Sequence, residues 1–94
     1  VDKVILVSPW IDPDKENKYD FFQDFVIDPT LASRANTIIA YTSDNDFDYC
    51  KKSVEVLKNA IPEIVVREFK GMGHFIPMHM ETNEIPELVE DILA

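Results

Sequence analysis

Three short hydrophobic runs along this chain predict β-strands. They occupy residues 4–7, 37–42 and 64–69, and each is followed by a polar or glycine-containing segment. The first run is continuously apolar, and the second is rich in β-branched residues. Strands buried on both faces of a parallel sheet have this composition, whereas a half-exposed strand alternates apolar and polar residues. We therefore expect a buried parallel sheet.

Helical spacing of apolar residues predicts helices between and after these strands. Residues 49–60 repeat apolar side chains at helical intervals, and a proline follows two residues later. Shorter helices are predicted at residues 20–25 and from Pro29 to about residue 35. Residues 85–93 predict a closing helix with Asn83 as its N-cap. Its expected inward side chains are Ile85, Leu88, Val89, Ile92 and Leu93.

The order of these elements is β-α-β-α-β-α, which predicts the α/β class. Parallel strands require crossover connections, and these are almost always right-handed. Three parallel strands form a small sheet in which at least one long apolar edge stays unpaired. We therefore interpret residues 1–94 as a single segment of a larger α/β domain rather than as two domains.

The amino-acid composition argues against several classes of function. Among 94 residues, 18 are acidic and nine are basic, so the formal net charge is −9. This charge argues against binding to nucleic-acid phosphates or to anionic membranes. No apolar run is long enough to span a bilayer, and no signal peptide is visible. The single cysteine, Cys50, cannot form an internal disulfide, which favours a cytoplasmic location.

Polar loops follow all three predicted strands, at residues 8–10, 43–46 and 71–75. In open α/β sheets, functional side chains gather at the carboxyl ends of the strands. The second loop carries carboxylates, and the third contains Gly-x-Gly-His. A carboxylate that accepts from one imidazole nitrogen fixes the tautomer and stabilises the protonated ring. We therefore consider an Asp–His pair at this edge, against the alternative of a solvated turn and a surface histidine.

The segments VDKVILVSPW, TIIAYTSDND and REFKGMGHF resemble the last three strands of the α/β-hydrolase fold. The best match is to the small serine hydrolases related to retinoblastoma-binding protein nine and to YdeN-type proteins. The resemblance implies a Ser-Asp-His triad in which His74 is the base and Asp46 is the preferred acid. Asp44 and Asp48 remain alternatives for the acid. It also implies that Ser8 and Trp10 line the substrate pocket, with no cofactor.

The chain departs from that family at the nucleophile. These 94 residues contain no G-x-S-x-G elbow, because the only glycines are Gly71 and Gly73. Ser8 lies at a strand end, but nothing in its sequence context predicts a strained elbow. We therefore expect the C-terminal part of a serine hydrolase of carboxylesterase type. It would supply acid and base for a small acyl-ester substrate, be inactive alone and require the N-terminal half.

Two alternatives belong to other classes. The chain would be a non-catalytic interaction module if its sheet edge pairs with a partner or with a second copy. It would be an unrelated three-stranded α/β domain if Asp46 and His74 lie far apart. No metal site is expected, because the five-residue spacing of His74 and His79 contains Pro77 and no known ligand motif. Cys50 is expected to be a small buried residue.

Overall fold

The protein contains a three-stranded parallel sheet, as seen in a computed structural model that describes residues 2–11 and 27–94. The strands are β1 (Lys3–Val7), β2 (Thr37–Ser43) and β3 (Val65–Phe69). Their order in the sheet is the order in the sequence, with Val4 opposite Ile38 and Tyr41 opposite Arg67. The predicted α/β class and the three strands are confirmed.

Helices cover both faces of this sheet, so alternate residues of β2 enter two separate hydrophobic clusters. On one face Ile38 and Ala40 pack with α1 (Asp48–Ala60) through Val54 and Leu57. On the other face the cluster is built around three buried side chains: Ile39, Tyr41 and Phe75. Because β2 is buried on both sides, its continuous apolar composition has a direct structural cause.

The helix α1 follows its sequence pattern closely. Its buried side chains are Cys50, Ser53, Val54 and Leu57. Asp48 in the first turn and Lys58 in the last turn have charges that complement the helix dipole. The predicted helix from Pro29 is instead a short 3₁₀ helix, Pro29–Ser33, which Asp28 caps by accepting from the Thr30 N–H at 2.9 Å. The helix predicted at 20–25 lies outside the described residues.

The third loop and the last helix differ from their predictions. Residues 77–80 form a short helix, α2 (Pro77–Met80), where the sequence predicted only a loop. The closing helix is α3 (Pro86–Leu93), and its N-cap is Ile85 rather than Asn83. The predicted inward positions at its C-terminal end are wrong, since three of its apolar side chains are exposed: Val89, Ile92 and Leu93. A short helix presents only one narrow stripe to the sheet, and Ile85 and Leu88 lie on that stripe.

A polar contact fixes α3 on the sheet. The hydroxyl of the fully buried Tyr41 donates to Asp91 of α3, and Arg67 of β3 donates to both oxygens of the same carboxylate at 2.7 Å. Lys3 donates to main-chain carbonyls at the end of α3, including that of Asp91 at 2.9 Å. These bonds hold the pKa of the Asp91 carboxyl below its ordinary value, chiefly through Tyr41 and then through Arg67.

We expect this contact to make stability fall at high pH. Burial, and next the hydrogen bond to Asp91, raise the pKa of Tyr41 to about 12 from an ordinary value of 10. The stabilising contribution of the neutral phenol is therefore complete below pH 10 and is lost as the pH rises to about 12. Tyr41→Phe should be less stable at neutral pH but show a shallower decline over this window, measured by urea denaturation. Equal slopes for the two proteins would contradict the assignment.

The outer edge of β1 has no strand partner within residues 2–11 and 27–94. Apolar side chains line a groove on each face beside this edge, with Val4 and Leu6 on one side and Ile5 and Val7 on the other. In the same described part of the chain, no helix has the length and apolar character needed to cross a membrane.

Candidate functional site

Three loops meet at the carboxyl edge of the sheet because the strands are parallel. Ser8 directly follows β1, the 43–46 turn ends β2, and the segment from Lys70 to His74 follows β3. This edge is where open α/β sheets place functional side chains. The convergence expected from the sequence is therefore present.

Asp46 and His74 are in direct contact at this edge. Asp46 Oδ1 lies 3.0 Å from His74 Nδ1, although the residues are 28 positions apart. The Asp46 side chain is 1% exposed, whereas that of His74 is 35% exposed. Asp46 Oδ1 also accepts from the Phe47 N–H at 2.7 Å, at the start of α1. The carboxylate is thus fixed inside the protein, and the imidazole reaches the surface.

Ser8 completes this cluster. Its hydroxyl donates to Asp46 Oδ2 and lies 2.8 Å from His74 Nδ1. Ser8 is 7% exposed, and its φ of 48° places it in the left-handed region that a non-glycine residue rarely adopts. Such strain persists only where the surrounding contacts impose it, and it concentrates at functional sites.

The chemical roles open to Asp46 and Ser8 depend on which nitrogen of the His74 ring each of them contacts. Asp46 and Ser8 both contact Nδ1 of His74. Among the described residues, His74 Nε2 has no hydrogen-bond partner. In a serine triad the acid and the nucleophile contact opposite ring nitrogens. Ser8 therefore occupies the side of the acid, and Nε2 is directed away from both residues.

The 43–45 turn holds the main chain that carries His74. Three consecutive N–H groups donate to consecutive side chains of the turn: Gly71 to Asp44 Oδ1 at 2.9 Å, Met72 to Ser43 Oγ at 3.0 Å, and Gly73 to Asn45 Oδ1 at 2.8 Å. Ser43 Oγ also donates to Asn45 Oδ1 at 2.8 Å. The turn that supplies Asp46 thus positions the loop that supplies His74.

The two glycines of this loop provide a matched pair of substitutions. Both have positive φ, 72° at Gly71 and 58° at Gly73. A Cβ at Gly71 would meet nothing within 4 Å, but one at Gly73 would lie 2.5 Å from His79 Cβ. We expect Gly71→Ala to cost only the left-handed strain, about 1–2 kcal/mol.

Gly73→Ala should cost that strain and about 1–3 kcal/mol more for the clash. Thermal unfolding of both variants, measured side by side, checks the difference. An equal loss of melting temperature in the two variants would show that His79 moves aside for the added methyl group without measurable cost.

Aromatic side chains extend from His74 along the surface. The Phe47 ring lies 5.4 Å from the His74 ring and stacks on Tyr49 at 5.4 Å, with an interplanar angle of 5°. Trp10 meets Tyr49 edge-on at 6.2 Å. Trp10 thus lies on the same side of the molecule as the histidine, and its contact with substrate stays a prediction.

Cys50 raises the question of a metal. Its Sγ lies 3.8 Å from His74 Nδ1, and potential ligand atoms of Asp46, Cys50 and His74 are all within 4.8 Å of one another. Burial, and next the charge of Asp46, raise the pKa of the Cys50 thiol, which favours its protonated form. His74 Nδ1 already contacts Asp46. In the observed arrangement these side chains form a hydrogen-bonded pair, Asp46 and His74, with the Cys50 thiol beside it.

The structure brings together Asp46, His74 and Ser8 among the residues singled out in the sequence. Asp44 instead accepts from Gly71, and Asp48 is exposed on α1. The supporting roles of Ser43 and Asn45 were missed. Their signal was the run of short polar side chains directly after a buried strand, a pattern that often bonds to nearby backbone. The far-apart arrangement expected of an unrelated domain is not observed.

Comparison with known proteins identifies no relative. No family model matches the chain, and no curated protein or solved structure matches it either. The function of the site must therefore be inferred from its own geometry.

Proposed function

We propose that this chain is the C-terminal part of a serine hydrolase of the α/β-hydrolase fold, with His74 as general base and Asp46 as its orienting acid. The observation that carries the proposal is the contact between Asp46 Oδ1 and His74 Nδ1 at 3.0 Å, at the carboxyl edge of a parallel sheet. The order of acid and base along the chain is that of the fold's triad.

The proposed reaction transfers an acyl group from a small ester to water. A serine from the remainder of the fold attacks the ester carbonyl, and His74 Nε2 takes its proton. The imidazolium then returns this proton to the leaving alcohol, and an acyl-enzyme remains. The same nitrogen then deprotonates the water that attacks the acyl-enzyme, and the imidazolium returns this proton to the serine oxygen as the serine–acyl bond breaks and the carboxylic acid leaves. Asp46 stabilises the charged ring in both steps without taking the proton.

The remainder of the fold would cover the outer edge of β1, which has no strand partner among residues 2–11 and 27–94. Apolar grooves flank this edge on both faces of the sheet, and Val7 at its end is exposed. A preceding parallel strand and its crossover helices would bury these surfaces, which supports an N-terminal half that supplies the nucleophile.

Ser8 would position the pair rather than attack the substrate, because it lies on the Nδ1 side of His74. Hydrogen bonds to charged groups contribute about 1.5–3 kcal/mol, so Ser8→Ala should slow the reaction about 10- to 100-fold. The experiment treats the full natural polypeptide with a fluorophosphonate probe and locates the adduct by mass spectrometry. We expect one modified serine upstream of β1 in both wild type and Ser8→Ala.

An adduct on Ser8 itself would overturn the positioning role. Failure of any serine to react would overturn the hydrolase proposal and favour the interaction module. The exposed apolar side chains at the end of α3 are the observation that supports that second candidate. Its own signature would be concentration-dependent self-association of the unreactive protein, measured by analytical ultracentrifugation.

A further inference from the structure

His79 contacts the proposed base through the main chain, although the reaction described above does not use it. Its Nδ1 accepts a hydrogen bond from the His74 N–H at 2.9 Å. A backbone N–H can only donate, so this nitrogen of His79 carries no proton in the observed arrangement. The contact therefore requires a neutral His79 with its proton on Nε2.

The backbone conformation on both sides of His74 explains why its N–H is paired with a side chain. Gly73 and Phe75 have φ values of 58° and 57°, so His74 lies between two left-handed residues. No strand or helix includes this stretch. A hydrogen bond to a side chain takes the place of the regular main-chain ladder that would otherwise satisfy the His74 N–H.

His79 is itself held firmly against this stretch. It lies on α2, where its own N–H donates to the Ile76 carbonyl at 2.9 Å. Its Cβ and ring occupy the space into which any side chain at Gly73 would project, at 2.5–2.7 Å from an ideal Cβ. Phe47 packs edge-on against the His79 ring at 6.2 Å and also contacts the His74 ring at 5.4 Å. The two imidazoles and the phenyl ring form one packed unit.

We propose that His79 is a positioning residue that holds the main chain of His74 so that its Nδ1 meets Asp46. This inference rests on the proposed function of His74. A displacement of about 1 Å at a reacting group can lower a rate about 100-fold, so a hydrogen bond to the main chain of the base has kinetic consequences.

Two amide substitutions separate the hydrogen bond from simple packing. Asn places a carbonyl oxygen near the position of Nδ1, whereas Gln places it near Nε2. We expect His79→Asn to react with a fluorophosphonate within about threefold of wild type. We expect His79→Gln to react about 10- to 100-fold more slowly, at a similar melting temperature. Equal rates for both variants and wild type would overturn the proposal.

A second measurement does not depend on activity. In the ¹⁵N-labelled full polypeptide, a scalar coupling across the hydrogen bond should join the His74 amide nitrogen to His79 Nδ1. Absence of this coupling in the folded wild-type protein would overturn the proposal even if the variants fail to fold. If His74→Ala reacts at the wild-type rate, the proposed function fails, while the coupling still decides whether His79 holds His74.

Discussion

Replacing His74 by alanine should abolish reaction of the full polypeptide with a fluorophosphonate and with small esters. The imidazole contacts the buried Asp46 carboxylate on one side and is 35% exposed at the carboxyl edge. Without the imidazole, no base in the proposed reaction would then accept the proton of the attacking serine. In a known serine protease, removal of the base of the triad costs about 10⁶-fold in turnover. We expect a loss of similar order, measured as the labelling rate and as ester hydrolysis.

The control for this variant is Glu84→Ala, which alters an exposed residue in the segment between α2 and α3. It should react as wild type does, since such surface changes usually shift stability by no more than about 0.5 kcal/mol. Circular dichroism should show that both variants are folded. A folded His74→Ala protein that still reacts at the wild-type rate would contradict the assignment of His74.

Replacing Asp46 by asparagine should lower the rate by about 10⁴-fold, as loss of the charge and of the correct tautomer does in a known triad. The asparagine amide can donate to His74 Nδ1, which transfers the ring proton to Nε2. A protonated Nε2 cannot accept the proton of the serine. Because the side chain keeps its size in a site that is 1% exposed, the fold should persist. The measurement is the pH-independent rate of ester hydrolysis, together with the ring ¹⁵N shifts.

The two neighbouring carboxylates serve as matched controls. Asp44→Asn keeps an oxygen that can accept from the Gly71 N–H, and Asp48→Asn changes an exposed position on α1. Both variants should retain rates within a few-fold of wild type. If Asp44→Asn or Asp48→Asn causes the large loss instead, the acid of the pair has been assigned to the wrong residue.

The strands and α1 were predictable because their patterns are local and strong. Residues 37–42 are rich in β-branched residues, and the buried positions of α1 repeat at helical intervals. The end of α3 was not predictable in this way. Val89 and Ile92 fit the same helical stripe as Leu88, but whether a stripe is buried depends on the surface beside it. The short helix α2 was missed because four residues are too few to show a period.

The sequence by itself determined the α/β class, the parallel direction of the strands and the edge at which polar loops would gather. These properties follow from hydrophobic periodicity and from the chirality of crossover connections, which are local rules. It left three carboxylates as candidates and could not distinguish the two nitrogens of His74. Only the tertiary structure placed Asp46 and Ser8 together on Nδ1, across separations of 28 and 66 residues. Contacts at such separations depend on how each loop leaves its strand and on the bonds that hold it there.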